Sequence, residues 1–267
     1  MTPAPCVAIT GAGGSLGQAL LRRWHSRGAR LIALSSGSRP LQMVDDHGKP
    51  IPLQQVQWQV GAEAELAGLL AEVDVLVLNH GVNVYGDRSA AAVTRSLEVN
   101  ALSSWRLLEQ FAAVVSARPA EPADDPKRPR AEVWLNSSEA EIQPAFSPLY
   151  ELSKRLLGQL ISLRALDLAG PRLRIRRLVL GPFRSPLNPF GVMSAGFVAG
   201  QVMAQARLGC DLIIVTPNPL TYILMPAATL SRWLYFRLLS GANGGADHGA
   251  GPAAADPARR HRSEGRS

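Results

Sequence analysis

Near the start of the chain an apolar run, Cys6-Val7-Ala8-Ile9-Thr10, meets the turn Gly11-Ala12-Gly13-Gly14-Ser15-Leu16-Gly17, and an amphipathic helix pattern follows at once. This order constrains the fold more than any other feature. A strand that is apolar at every position must be buried on both faces, which points to a parallel sheet covered by helices. Glycines at 11, 14 and 17 give the pattern T-G-x-x-G-x-x-G. Gly11 permits the tight turn, Gly14 lets phosphate oxygens approach the backbone, and Gly17 lets the helix pack close to the sheet. The N–H groups of Ser15, Leu16 and Gly17 open the helix, where a pyrophosphate would meet free donors and the positive dipole end.

The rest of the chain alternates in the same way. A helix is expected over 15–27, with Leu16, Ala19, Leu20 and Trp24 on one face. Gly28 ends it, and a second strand covers 30–34. The runs 41–44 and 51–60 flank Asp45-Asp46-His47-Gly48-Lys49-Pro50 and predict a β-hairpin. Helices are expected over 62–71, 90–115, 148–168 and 195–208, with strands over 73–78, 133–136, 174–180 and 212–215. These elements predict a doubly wound, Rossmann-type α/β domain with helices on both faces, spanning 1–240. The Pro-rich segment 117–130 reads as a surface loop, and the Gly/Ala/Pro-rich, basic segment 241–267 as a disordered tail.

The chain has 267 residues, a formal net charge of +7 and two cysteines, Cys6 and Cys210, without metal or redox spacing. Arginine clusters at 172–177 and 259–262 lack interleaved aromatic residues, which argues against a nucleic-acid partner. The N-terminus has neither a basic n-region nor a long apolar h-region, so a cytoplasmic protein is expected.

Two groups carry chemistry. The second strand ends in Ser35-Ser36-Gly37-Ser38-Arg39, with no acidic residue to grip a ribose 2′-hydroxyl. Ser36 and Arg39 can instead bond a 2′-phosphate, which favours NADP(H) over NAD(H). Tyr150 and Lys154 stand four apart on a predicted helix and share its face. A tyrosine near pKa 10 is a poor base, and a neighbouring ammonium favours the phenolate. Ser137 and Ser138 end the preceding strand, where a hydroxyl can hold a substrate oxygen.

Over residues 5 to about 215 the chain resembles the short-chain dehydrogenase/reductase family, on the segments TGAGGSLG, VDVLVLNHG (73–81), EVN (98–100), WLNSS (134–138), YELSK (150–154) and LGPFRS (180–185). The resemblance implies that Tyr150 is the general acid/base and that Lys154 lowers its pKa and binds ribose. It implies that Ser137 or Ser138 positions the carbonyl or alcohol, and that Asn100 anchors a water linking Lys154 to solvent. Asn79, His80, Gly81, Gly181 and Ser185 would line the cofactor, His80 replacing the family's usual small residue. The family's serine-to-tyrosine spacing selects Ser137, whereas the usual strand ending selects Ser138. Dimers or tetramers are also implied.

A narrower likeness, on NSSEAEIQPAFSPLYELSKR and IIVTPNPLTYILMP, is to the dehydrogenase half of bacterial fusions with a sterol-desaturase-like membrane region. It implies a lipid-related substrate. The expected activity is hydride transfer between NADP(H) and an apolar carbonyl or alcohol. A nucleotide-binding sensor, a partner subunit of a membrane desaturase and an epimerase/dehydratase-like enzyme are the alternatives. The apolar segment 218–239 reads as a lid or oligomer contact in preference to a helix lying on a bilayer. With Phe183, Leu187, Phe190 and Met193 it would form an apolar substrate wall.

Overall fold

A computed structural model describes residues 4–119 and 130–239. The expected tail and most of the Pro-rich loop lie outside the described residues. Seven strands form one wholly parallel sheet: β1 (Cys6–Thr10), β2 (Arg30–Ser35), β3 (Gln54–Gln57), β4 (Val75–Leu78), β5 (Ala131–Ser138), β6 (Leu173–Leu180) and β7 (Leu212–Val215), in the order β3-β2-β1-β4-β5-β6-β7. Helices α1 (Ser15–His25) and α6 (Ala195–Arg207) pack together on one face. Helices α2 (Ala67–Leu70), α3 (Ala90–Leu97), α4 (Ser103–Ala117) and α5 (Pro148–Leu168) precede the last helix, α7 (Thr221–Leu239).

The strand pleat sorts the core into two layers. In β1, Val7 and Ile9 point towards α1 and α6, while Cys6 and Ala8 point to the layer holding Leu107, Phe111 and Leu157. In these layers Leu20, Leu21, Phe111 and Trp134 are fully or almost fully buried. Each such side chain contributes roughly 2 kcal/mol or more of transfer free energy. Trp24 of α1 rests on Trp134 of β5 with ring centroids 5.5 Å apart.

Three expectations are corrected. The hairpin over 41–60 survives only as an antiparallel bridge between Val44 and Pro50; its second limb, Gln54–Gln57, joins the sheet edge parallel to β2. The expected helix over 62–71 is a 3-10 turn (Glu63–Leu66) followed by the single turn α2. The long helix over 90–115 is split by a π-helical turn, Glu98–Leu102, which contains Asn100. Such one-turn bulges re-aim the side chains around them.

Strand order reverses between β1 and β4, which go on to opposite neighbours. The crevice outside the strand carboxyl ends at this point is where a doubly wound sheet binds its ligand.

Candidate active site

The Gly-rich turn lies at that crevice. Gly11 has φ +62°, and a Cβ on Gly17 would stand 2.4 Å from the Gly11 carbonyl oxygen and 2.9 Å from the Ala12 Cα. Both contacts are with backbone, so only glycine fits at 17. The N-cap of α1, Gly14, offers no side-chain hydrogen bond, and the first turn carries no acidic residue. The leading N–H groups therefore face outward unused by the helix. Beside them a cavity of about 370 Å³ is lined by Gly11, Gly13, Gly14, Ser36 and Arg39 among others.

Its far wall is the 35–41 loop, which β3 supports from behind. Gln55 donates to the Arg39 carbonyl oxygen (2.9 Å) and accepts from the Leu41 N–H (2.7 Å), holding the 35–41 loop open. Gln55 was not among the residues singled out from sequence, because an edge strand reading QQVQ has no apolar signal. The residues fit a dinucleotide: a cradle that a Cβ would fill, unused helix N–H groups and a cationic side chain at the ribose end. A larger cavity, about 670 Å³, opens at the opposite, amino edge around Trp24, Arg27 and Glu132, far from the Tyr150 group.

Asn79 and His80 follow β4. Thr10 Oγ1 accepts from the Asn79 N–H (2.9 Å) and lies 2.8 Å from His80 Nδ1. Asn79 is also tied to Asn136 (2.8 Å). His80 Nε2 is buried without a partner, and its ring meets Trp58 edge-on at 5.1 Å. Burial lowers the His80 pKa to about 4, with the Lys154 charge adding and the Glu63 charge opposing. His80 is therefore a neutral wall residue near neutral pH. A Cβ on Gly81 would lie 3.3 Å from Asn100 Oδ1.

Asn100 sits in the π turn. Its amide grips the Val82 backbone, accepting from N–H at 2.7 Å and donating to C=O at 2.9 Å. It also donates to Ser153 Oγ on α5 at 3.0 Å. Its side chain thus fastens the β4 loop to α5, and its direct contact there is Ser153, one residue before Lys154.

The two serines part company. Ser137 Oγ donates to buried Glu141, which is also held by Arg177 (2.8 Å) and by Arg232 of α7 (2.8 Å). Ser138 instead stands beside the Tyr150 phenol, while its Oγ accepts from the Ala140 N–H at 3.2 Å. Lys154 Nζ donates to the Asn136 carbonyl oxygen at 2.9 Å and lies 5.6 Å from the Tyr150 ring centre. The structure brings Ser138, Tyr150 and Lys154 together, and directs Ser137 away.

The electrostatics correct one expectation. Burial raises the Tyr150 phenol above its ordinary value; the Ser138 hydroxyl opposes this, and the Glu139 charge adds to it. The expected lowering by Lys154 does not govern. Burial lowers Lys154 itself to about 8, against the pull of Glu141. In this state Tyr150 holds its proton firmly.

Ser185 turns its hydroxyl onto the Asn188 N–H (3.2 Å) within the loop after β6, and Gly181 packs so closely on Thr216 that a Cβ would meet its Oγ1 at 2.3 Å. Of the expected apolar wall, Phe183 and Met193 turn into the core, whereas Phe190 and Trp233 are exposed.

Residues 7–140 match the NAD dependent epimerase/dehydratase family. The chain is 46% identical over 231 residues to the monoglucosyldiacylglycerol epimerase of Synechocystis sp., covering 86% of this chain and 54% of that protein. It thus spans about half the length of the curated relative it matches. Among solved structures, a short-chain dehydrogenase from Burkholderia cenocepacia in complex with NADP has TM-score 0.69 at 17% identity, covering 90% of this chain and 99% of that one. A short-chain dehydrogenase from Sphingobium yanoikuyae in complex with NADPH has TM-score 0.69 at 17% identity, covering 91% and 99%. The chain belongs to the NAD dependent epimerase/dehydratase family, and its fold is that of the short-chain dehydrogenase/reductases.

Proposed function

We propose that the protein is an NADP(H)-dependent epimerase of a glycosyl diacylglycerol, inverting one secondary alcohol carbon of the sugar headgroup by oxidation and re-reduction. The observation that carries the chemistry is the Tyr150 phenol beside Ser138 and Lys154, at the carboxyl edge of the sheet. The substrate class comes from the 46% identical relative, whose match runs over most of this chain. This reading moves the reacting carbon from an apolar ketone to a sugar hydroxyl, and leaves the apolar surroundings to the acyl chains.

The bound nicotinamide would supply a hydride acceptor and donor. Ser138 would orient the reacting oxygen. Tyr150 would take the hydroxyl proton as the carbon–hydrogen bond is broken. It would return that proton to the oxygen when hydride comes back on the other face of the planar carbonyl. The Lys154 ammonium, held by the Asn136 carbonyl oxygen, would favour the brief phenolate. The sum leaves the cofactor unchanged and one stereocentre inverted. Arg39 and Ser36 would give NADP(H) its preference.

The test is incubation with monoglucosyldiacylglycerol and a trace of NADP+. The expected outcome is an epimeric hexose on the lipid with no net gain in absorbance at the NADPH band. Tyr150→Phe should abolish turnover, and Arg39→Ala should erase the preference for NADP(H). Stoichiometric reduction of NADP+ would instead mark a simple dehydrogenase. No reaction with either cofactor would overturn the reading.

A further inference from the structure

Helix α7 is built inside out. Its one inward-facing cation, Arg232, reaches the fully buried Glu141, and its only buried positions are Thr221 and Met225. The outward side carries Tyr222, Ile223, Leu230, Leu234, Tyr235 and Leu238, with Ile223 69% and Leu238 70% exposed. At 100° per residue the exposed positions sweep about 260° of the circumference. Arg237 is the only charged residue among them, and 218–239 contains no acid. A helix apolar around most of its girth belongs against an apolar medium.

The cover does not come from the undescribed residues of this chain. Segments 120–129 and 240–267 contain no Leu, Ile, Val, Phe, Met or Trp. A packed protein surface would cover a stripe of the helix, whereas an arc this wide suits a fluid that closes around it. The ornament of the face is also interfacial: Trp233, Tyr222 and Tyr235 are exposed, and the Arg237 guanidinium stacks on Trp233 at 5.1 Å. Among the described residues no helix is long and apolar enough to cross a membrane. The net charge of +7 favours an anionic surface.

We propose that the outer face of α7 docks the protein onto a lipid bilayer by lying in its interface. Topology then sets the consequence. Helix α7 begins after the carboxyl end of β7, and the exposed Phe190 follows the carboxyl end of β6, so both sit on the edge that holds Tyr150. Docking through α7 would turn the active site towards the headgroups, which rests on the lipid-substrate reading above.

The experiment is co-sedimentation of the purified full chain with vesicles of phosphatidylcholine and phosphatidylglycerol in a two-to-one ratio. The comparison is the triple variant Ile223→Glu, Leu234→Glu, Leu238→Glu. All three positions are solvent-exposed, so the melting curve and NADP(H) binding should stay unchanged. The vesicle partition coefficient should fall by more than about a hundredfold. Absence of wild-type sedimentation, or equal sedimentation of the variant, would overturn the proposal. So would a wild-type dimer that the substitutions split, since a second copy would then be the cover. Oxidation of a water-soluble alkyl glucoside reports on the catalytic reading separately. If that fails while vesicle binding holds, the docking surface stands and the assigned chemistry falls.

Discussion

Adjacent serines at the end of β5 are assigned opposite tasks, and a crossed pair of substitutions reads both. Ser137→Ala removes the donor to Glu141, whose side chain is wholly buried. A hydrogen bond to a buried charged group contributes about 2 kcal/mol. For a chain of this size that lowers Tm by roughly 4–8 °C. Turnover should hold, because Ser137 faces away from Tyr150. Ser138→Ala removes the 3-10 cap to the Ala140 N–H, worth about 1 kcal/mol. It also deprives the reacting oxygen of its donor, a loss of about a hundredfold to a thousandfold in kcat by analogy with oxyanion-hole donors.

The signature is therefore a large Tm drop with full activity for one variant, and a small Tm drop with little activity for its neighbour. Thermal melts and single-turnover conversion of the glycolipid measure the two halves. An absorbance titration of Tyr150 gives a third reading without substrate. The Ser138 hydroxyl holds the phenol down, so Ser138→Ala should raise its pKa further, and Ser137→Ala should leave it. If Ser137→Ala were the inactive variant with an unmoved Tm, β5 would be one residue out of register. A slip of one residue sends every side chain to the other face.

Two further outcomes follow from the geometry. Gly17→Ala would drive a methyl group onto the Gly11 carbonyl oxygen, so NADP(H) affinity should fall by more than about tenfold and stability by about 1–3 kcal/mol; an unchanged Kd would show that the turn is not the cradle. Lys154, lowered to about 8, should give kcat/KM a falling alkaline limb near that value in the free enzyme; a profile flat to pH 10 would refute the role of its ammonium. The stability effect has the opposite sense: the unfolded lysine, near 10.4, binds more protons between the two values, so the penalty present below about 8 fades as pH rises towards 10.4.

What could be read from the chain alone depended on whether one residue's surroundings were local. Strand β1 and its turn were legible because burial on both faces and glycine geometry write themselves into consecutive residues. Helix α5 was legible from end to end, with Pro148 at its first turn and Leu168 at its last. The π turn at Asn100 was not, since one extra residue in a helical period leaves no mark in composition. Strand β3 lies within the expected hairpin limb 51–60, but its parallel pairing with β2 was not legible, because it is held at the sheet edge by hydrogen bonds from Gln55 and Gln57 to a loop rather than by an apolar pattern. The choice between Ser137 and Ser138 stayed open because the serine-to-tyrosine spacing selects one and the strand ending the other; both lie in β5, and the pleat sends neighbouring side chains to opposite sides. Glu141 carries no local signal in the sequence. Its partners, Arg177 and Arg232, lie 36 and 91 residues further on, and only the fold brings them to it.

That carboxylate also explains how α7 can turn its leucines outward and stay attached. Burying a lone charge costs several kcal/mol, and only close, hydrogen-bonded partners offset it. Glu141 has two guanidiniums and a serine hydroxyl, so the cost is met by groups from β5, β6 and α7 at once. Thr221 and Gln143 extend the same polar seam at the start of α7, bonded at 2.8 Å, and Thr221 reaches Glu139 at 3.2 Å. Apolar packing at this junction is a small cluster, Met225 against Val179 and Ile214 with Ile142 and Leu212 beside them. A polar seam is directional where apolar contact is not. It fixes the roll of α7 about its axis, keeping Arg232 inward and the apolar arc outward. The same Glu141 charge holds the Lys154 pKa up against burial. One buried carboxylate thus sets the orientation of the outer helix and supports the charge of the lysine beside Tyr150.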